Sequence, residues 1–365
     1  MSIQSTHRPG RPHPALSRRA LLAGTAAGAV GLSLAACGKG KKSGSQGDSK
    51  TVTVVTHDSF HVSEDLQKAF TSETGYTLKV ATSGDAGALV NKLVLTKDAP
   101  LGDAVFGIDN TYATRALDQG VIDTSATVTL PKGAESYVVA DTPALAPIDV
   151  GDVCLNIDTG YFTGKGLTPP ATFEDLTKPE YKGLLVAINP TNSSPGMAWL
   201  LATIGHFGAG SFAGYWKQLM ANGARIAEDW SAAYETDFSG SGKGTYPIVV
   251  SYASSPSFTV SKDKSSSTTS ALLDTAFRQV EYAGVLKGAA NPEGGKAFVT
   301  WMLSKAVQED IPGQMYMYPV LPDAALPEAL TKFGPLSKSP VKVDPKEITT
   351  HREEWLNTWT EAVGK

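Results

Sequence analysis

The chain has 365 residues, 41% apolar and 19% charged, a globular composition long enough for two domains of ordinary size. A formal net charge of −4 argues against nucleic acid as a partner. Two cysteines, one of them placed for lipidation, exclude a disulfide framework.

Residues 1–36 read as an address. Arg8, Arg11, Arg18 and Arg19 form a basic start with no acid, and Ala20 to Ala36 is an apolar run of small residues, short for a membrane span. The run ends in Leu34-Ala35-Ala36-Cys37-Gly38, which resembles a bacterial lipobox with Cys37 as the lipidated residue. Ser17-Arg18-Arg19-Ala20-Leu21-Leu22 resembles a twin-arginine signal, with ordinary Sec export as the alternative. Losing the four arginines leaves a mature charge of −8, which agrees with a cationic ligand. Residues 37–50, with the Gly/Ser/Lys-rich run after Cys37, read as a flexible tether.

Order is expected from Thr51. Thr51–Thr56 is β-branched and suits a central parallel strand. Ser63 opens a helix ending at Gly75, with Leu66, Ala69 and Phe70 inward. Tyr76–Ala81 is a strand, Ala86–Leu95 a helix and Asp103–Gly107 a strand, and Asn110 caps a helix that stops at Gly120. This alternation predicts a parallel, doubly wound lobe with ligand residues just past the strand ends, at His57-Asp58-Ser59, Ser83-Gly84-Asp85 and Asp109-Asn110. Ala144–Ile157 reads as a crossover into a second lobe with a strand at Leu184–Ile188, helices after Pro195 and near Ser211–Ala221, and a buried strand at Pro247–Val250. Phe277–Leu286 recrosses, and Asn291-Pro292 begins another helix. In the tail, Pro345–Val363, Trp355 and Trp359 lie on one helical face as a packing stripe.

Catalytic and metal motifs do not form. Gly240-Ser241-Gly242-Lys243-Gly244-Thr245 has Gly where a phosphate loop needs its metal-binding hydroxyl. His57 and His61 follow a strand, and Asp58 stands where a zinc-protease motif has Glu. Cys154, in an apolar run, reads as inert core. Neither a metal nor a cofactor is expected.

Flat aromatic surface is present instead, in Trp230, Tyr234, Tyr252, Phe258, Tyr316 and Tyr318. Stacking faces suit a planar heteroaromatic cation. Asp58 and Asp109 are candidate carboxylates, although helix capping alone would explain them. Ser193 or Ser194 caps a helix with Pro195 in its first turn, and free amides there make an anion or hydroxyl site; capping alone would explain the serines too.

In order, Thr53-Val54-Val55-Thr56-His57-Asp58-Ser59-Phe60, Gly107-Ile108-Asp109-Asn110, Ser193-Ser194-Pro195-Gly196, Asp229-Trp230-Ser231-Ala232-Ala233-Tyr234, Ser251-Tyr252-Ala253-Ser254-Ser255-Pro256, Met317-Tyr318-Pro319-Val320 and Trp355-Leu356-Asn357-Thr358-Trp359 resemble the thiamine-binding proteins of bacterial ABC importers. The resemblance implies an α/β, two-lobed type II periplasmic binding fold, each lobe a doubly wound mixed sheet flanked by helices, joined by a hinge. It divides the chain into 51–147 plus 277–320 for one lobe, 148–276 for the other and a helical segment at 321–365. It implies capture of thiamine, with its phosphates, by hinged closure of the lobes, at Asp58, Asp109, Ser193, Ser194, Trp230, Tyr234, Tyr252, Phe258 and Tyr316. The expected partners are a permease and its ATPase, with the membrane reached through the lipid on Cys37 of a monomeric, extracytoplasmic, non-enzymatic protein. His57 departs from the family's usual Tyr, Phe258 and Tyr316 stand for Tyr and Trp, and Asn189 and Thr191 replace an Asp and an Arg. A ferric-iron or polyamine carrier of the same fold, or a thiamine-modifying enzyme, are the alternatives. Iron capture would want adjacent tyrosines, and Met317 separates Tyr316 from Tyr318.

Overall fold

The computed structural model describes residues 50–241 and 243–364. The export segment, Cys37 and the tether up to residue 49 lie outside the described residues. In chain order the elements are β1 (Thr51–Thr56), α1 (Glu64–Thr74), β2 (Thr77–Thr82), α2 (Ala86–Leu95), β3 (Ala104–Asp109), α3 (Ala113–Asp118), β4 (Ala146–Asp158), α4 (Thr159–Lys165), β5 (Leu185–Ile188) and α5 (Ser194–Phe207). Then follow α6 (Phe212–Ala221), β6 (Arg225–Ala227), β7 (Ile248–Tyr252), β8 (Thr269–Val285), α7 (Pro292–Met302), α8 (Lys305–Met315), β9 (Tyr318–Pro319), α9 (Glu328–Phe333) and α10 (Pro345–Val363).

The main strands run in the order β2-β1-β3-β8-β4-β7-β5-β6, and β9 pairs with β4. Two groups of parallel strands result. In the first, β1 lies between β2 and β3; in the second, β5 lies between β6 and β7. The long strands β8 and β4 run antiparallel to each other between the groups. β3 pairs antiparallel with the C-terminal part of β8, and β7 antiparallel with the C-terminal half of β4. The partnership of β4 and β8 is interrupted twice, between Pro147 and Asp149, where Tyr282 and Glu281 face them in succession, and at mid-length, where Val153 faces Phe277 but Leu155 faces Leu272. Thr275 Oγ1 accepts from the Leu155 amide there and donates to the Leu272 carbonyl, which repairs the ladder. Small buried residues, Cys154, Ala253 and Ala276, pack at this step.

Local chemistry sets the helix ends. Gly75 closes α1 in the left-handed conformation, with its amide on the Thr71 carbonyl. Asp85, Ser193 and Asn291 cap α2, α5 and α7 through their side chains. In α10 the buried positions Ile348, Arg352, Trp355, Leu356 and Trp359 trace one helical face. Trp359 meets Trp216 edge to face at 5.6 Å, and Trp216 meets Trp199 likewise at 5.1 Å. This aromatic series ties the C-terminal helix to α6 and α5.

Two expected side-chain caps fail: Ser63 stands before α1 without a capping bond, and Asn110 is the other. Asn110 does not start α3, whose first turn follows Tyr112. Its Nδ2 donates to the Arg278 carbonyl and its Oδ1 accepts from the Val280 amide. Asn110 thus continues the β3–β8 ladder past the end of the strand. Asn110→Ala should therefore destabilise the protein by roughly 1–3 kcal/mol, the worth of two hydrogen bonds. Urea unfolding checks this, and an unchanged midpoint would contradict the bridging role.

Candidate functional site

Strand ends of both groups converge on a cavity of about 340 Å³. The first group supplies His57, Asp58 and Ser59 after β1, and Asp85 at the start of α2. The second supplies Ser194 and Pro195 from α5, Trp230, Ser231 and Glu235 after β6, and Tyr252 at the end of β7. Glu281 of β8 and the turn from Gln314 to Met317 complete the lining. No lysine or arginine is among these residues.

The aromatic wall is layered. The Trp230 and Tyr234 rings stack, with centroids 5.0 Å apart and planes at 10°. The indole N–H donates to Ser251 Oγ at 3.0 Å, which fixes the ring. Tyr252 and Tyr316 stand 6.4 and 6.2 Å from Trp230, both tilted. Tyr316 has φ +62°, an uncommon conformation for a bulky residue and one that costs on the order of 1–3 kcal/mol. That backbone ends α8 and sets the Tyr316 ring beside the cavity.

The polar side is acidic. Asp85 Oδ1 accepts from Ala86 N at 2.6 Å and Ser194 N at 3.4 Å, and its Oδ2 from Trp230 N at 3.5 Å. One carboxylate thus joins helix starts and backbone from both strand groups. Burial pushes its pKa up, against hydrogen bonds from Ser193 and Ala86. Nearby, Ala88 N donates to the Asn192 carbonyl at 3.1 Å and the Tyr112 hydroxyl to the Pro190 carbonyl at 3.0 Å. Gly87 permits this approach, since a Cβ there would lie 2.7 Å from the Asn192 backbone.

His57 Nδ1 accepts from Ser59 N, and its Nε2 lies 3.5 Å from Glu281 Oε1. Burial opposes a charge on the imidazole, but Glu281, Asp85 and Asp58 raise its pKa overall. The ring covers Gly107, whose φ of +96° and missing side chain make room for it. Glu281 Oε1 also accepts from Gln279 Nε2, which donates in addition to Ser194 Oγ.

Of the residues expected at the site, Asp58, Ser194, Trp230, Tyr252 and Tyr316 line the cavity together. The others stand outside its lining. Asp109 is fully buried, with Oδ1 accepting from the Thr111 amide and hydroxyl. Ser193 is buried as the α5 cap. Tyr234 backs Trp230, and Phe258 braces Tyr316 at 3.5 Å between centroids. Glu281, Glu235 and the methionines beside Tyr316 were not expected. Glu281 had a signal, as the lone acid in an apolar strand segment.

Acids do surround the aromatics, as a polyamine carrier would require, but among the described residues the adjacent tyrosines of an iron carrier and the nucleophile of an enzyme are not assembled. The Tyr318 hydroxyl donates to the Gly334 carbonyl and does not join Tyr316 in the cavity. Cys154 is fully buried, and burial raises its thiol pKa, so it is no nucleophile.

Residues 103–334 match the family of bacterial extracellular solute-binding proteins. The chain belongs to that family. It is 27% identical over 326 residues to the thiamine-binding periplasmic protein of Salmonella typhimurium, an alignment that covers 86% of this chain and 94% of the relative. To the protein of the same name from Escherichia coli it is 27% identical over 324 residues, with the same coverage. It also superposes on a solved periplasmic thiamin binding protein with a TM-score of 0.75 at 25% identity, covering 86% of this chain and 96% of the other. This solute-binding protein therefore has the two-lobed type II periplasmic binding fold, and its family is one of binding proteins, not enzymes. The cavity lies between the two strand groups.

Asp109 gives a stability test. Burial first, and Glu281 second, lift its pKa from 3.8 to about 7, against the Thr111 hydrogen bonds. The unfolded chain then loses this proton before the folded one does, so stability falls as pH climbs through that window. Asp109→Asn should raise the melting temperature at pH 8, by the equivalent of about 4 kcal/mol at most, and have little effect near pH 4. Scanning calorimetry at both pH values decides, and a lowered melting temperature at pH 8 would count against it.

Proposed function

We propose that this solute-binding protein captures thiamine between its two lobes and hands it to an ABC importer. The observation that carries the reading is the cavity itself: Trp230, Tyr252 and Tyr316 stand beside Asp58, Asp85, Glu235 and Glu281, without a lysine or arginine. Ring faces and carboxylates attract a flat organic cation and repel an anion. The names of the relatives point the same way. Both lobes touch the ligand, so binding favours the closed state. In this reading Cys37 carries the lipid that holds the protein at the outer face of the cell membrane, and a permease with its ATPase receives the ligand.

The lack of cationic side chains favours free thiamine over its phosphate esters. The α5 amide of Ser194, which could meet a phosphate, already faces Asp85. Calorimetric titration with thiamine, thiamine diphosphate, spermidine and ferric citrate tests the reading. Thiamine should bind most tightly, and a preference for any of the others would overturn it. Trp230→Ala should weaken thiamine binding by about tenfold or more, or 1–2 kcal/mol for a desolvated cation–π contact. Unchanged affinity would remove Trp230 from the site.

A further inference from the structure

Three neighbouring strands each bring a carboxyl group to one row beneath the cavity. Asp109 of β3 and Asp149 of β4 both stand opposite Glu281 of β8, so all three project from the same face of the sheet. Asp109 and Asp149 are fully buried, and Glu281 is 5% exposed. Like charges placed directly opposite one another in a sheet repel. Stability alone gives no reason for the arrangement.

Hydrogen bonding shows how the row is held. Among the described residues, neither oxygen of Asp149 meets a donor, and nor does Asp109 Oδ2. Gln279 gives Glu281 one neutral donor. On the cavity side, His57 is 7% exposed, and its Nε2 is without a hydrogen-bond partner and 3.5 Å from Glu281 Oε1. Since Nδ1 accepts from the Ser59 amide, the neutral imidazole carries its proton on Nε2, toward Glu281, and a second proton, on Nδ1, would displace the Ser59 contact. Asp85 and Asp58 face the same imidazole from the start of α2 and the turn after β1. Arg352 of α10, held over the Tyr112 ring, is a cation acting on Asp109 from behind. Glu281 and His57 reach the cavity; Asp109 and Asp149 do not.

We propose that Glu281 is the counter-charge for the ligand's cation, and that before capture its charge is answered by a proton held on one of its neighbours, Asp149 or His57, which the arriving cation displaces to solvent. The proposal rests on the reading of the cavity as a cation site. Burial and the neighbouring Glu281 raise Asp149 well above the usual carboxyl range, and His57 is raised overall by its acidic neighbours. Both groups therefore hold protons more firmly than they would in water. A cation beside Glu281 removes the advantage of keeping them. Protons bound before capture and absent afterwards make affinity rise with pH, and fall as His57 and Asp149 become fully protonated.

The test is calorimetric titration of the full chain with thiamine at pH 7, in two buffers of different ionisation enthalpy. The observed enthalpies should differ by the amount due to release of about one proton per thiamine bound. Between pH 5.5 and 7 the affinity should climb by up to about tenfold per pH unit. His57→Gln and Asp149→Asn should each reduce the release and flatten that profile. Glu281→Gln should weaken binding at least tenfold, as for a lost desolvated charge contact, without lowering the melting temperature. Binding with equal enthalpies in both buffers overturns the proton exchange alone and leaves the thiamine reading standing. Absence of binding in either buffer overturns that reading and this proposal with it. Release undiminished in both variants would place the proton elsewhere, on Asp85 for example, and overturn the assignment. A lower melting temperature with full affinity in Glu281→Gln would make Glu281 a structural residue.

Discussion

The antiparallel pairing of β4 with β8 is the constraint from which the rest of the molecule hangs. These strands belong to both halves of the sheet, and every parallel strand reaches the other half through them. Because each half ends its parallel strands toward the crossing pair, the turns after β1 and β6 and the starts of α2 and α5 face one another. The cavity follows from that topology. Side chains from turns so distant in sequence meet only because two long strands hold a common register. Of the two steps in that register, the one at Cys154 is filled by residues too small to resist local adjustment.

The same crossing strands carry the electrostatic cost. A sheet interior normally excludes unpaired charge, since removing an ion from water is expensive. Here Asp152 is answered by Arg278 in the ordinary way. Among the described residues, Asp149 and Asp109 have no ion pair, and three of their four carboxyl oxygens have no hydrogen-bond donor. The paired acid lies on the Ser337 side, where a loop is being anchored, and the unanswered acids lie beneath the cavity. A protein retains such a conflict where it serves binding, and the aromatic wall above shows which kind of group would relieve it.

Much of this was legible in the amino-acid order. The β-branched run Thr51–Thr56, the small helix Ala86–Leu95 and the tail Pro345–Val363 carry their own period and punctuation, so their limits follow from local rules. Trp230, Tyr252 and Tyr316 could be picked out because large rings in polar surroundings have few reasons to be there. Tyr234 and Phe258 have the same local appearance but act one layer behind, as supports for rings that do line the cavity. No local pattern separates the two layers. Asn110 looked like a helix cap because its partners, Arg278 and Val280, lie on a strand far along the chain. The row of Asp109, Glu281 and Asp149 was hidden for the same reason, being a property of strand neighbours and not of any one segment.

The contact between Gly87-Ala88 and Asn192 joins the backbone of α2 to the turn before α5. It involves no group that a ligand would touch. Any separation of the two strand groups would break this contact, so the ease with which they part depends on peptide groups that do not line the cavity.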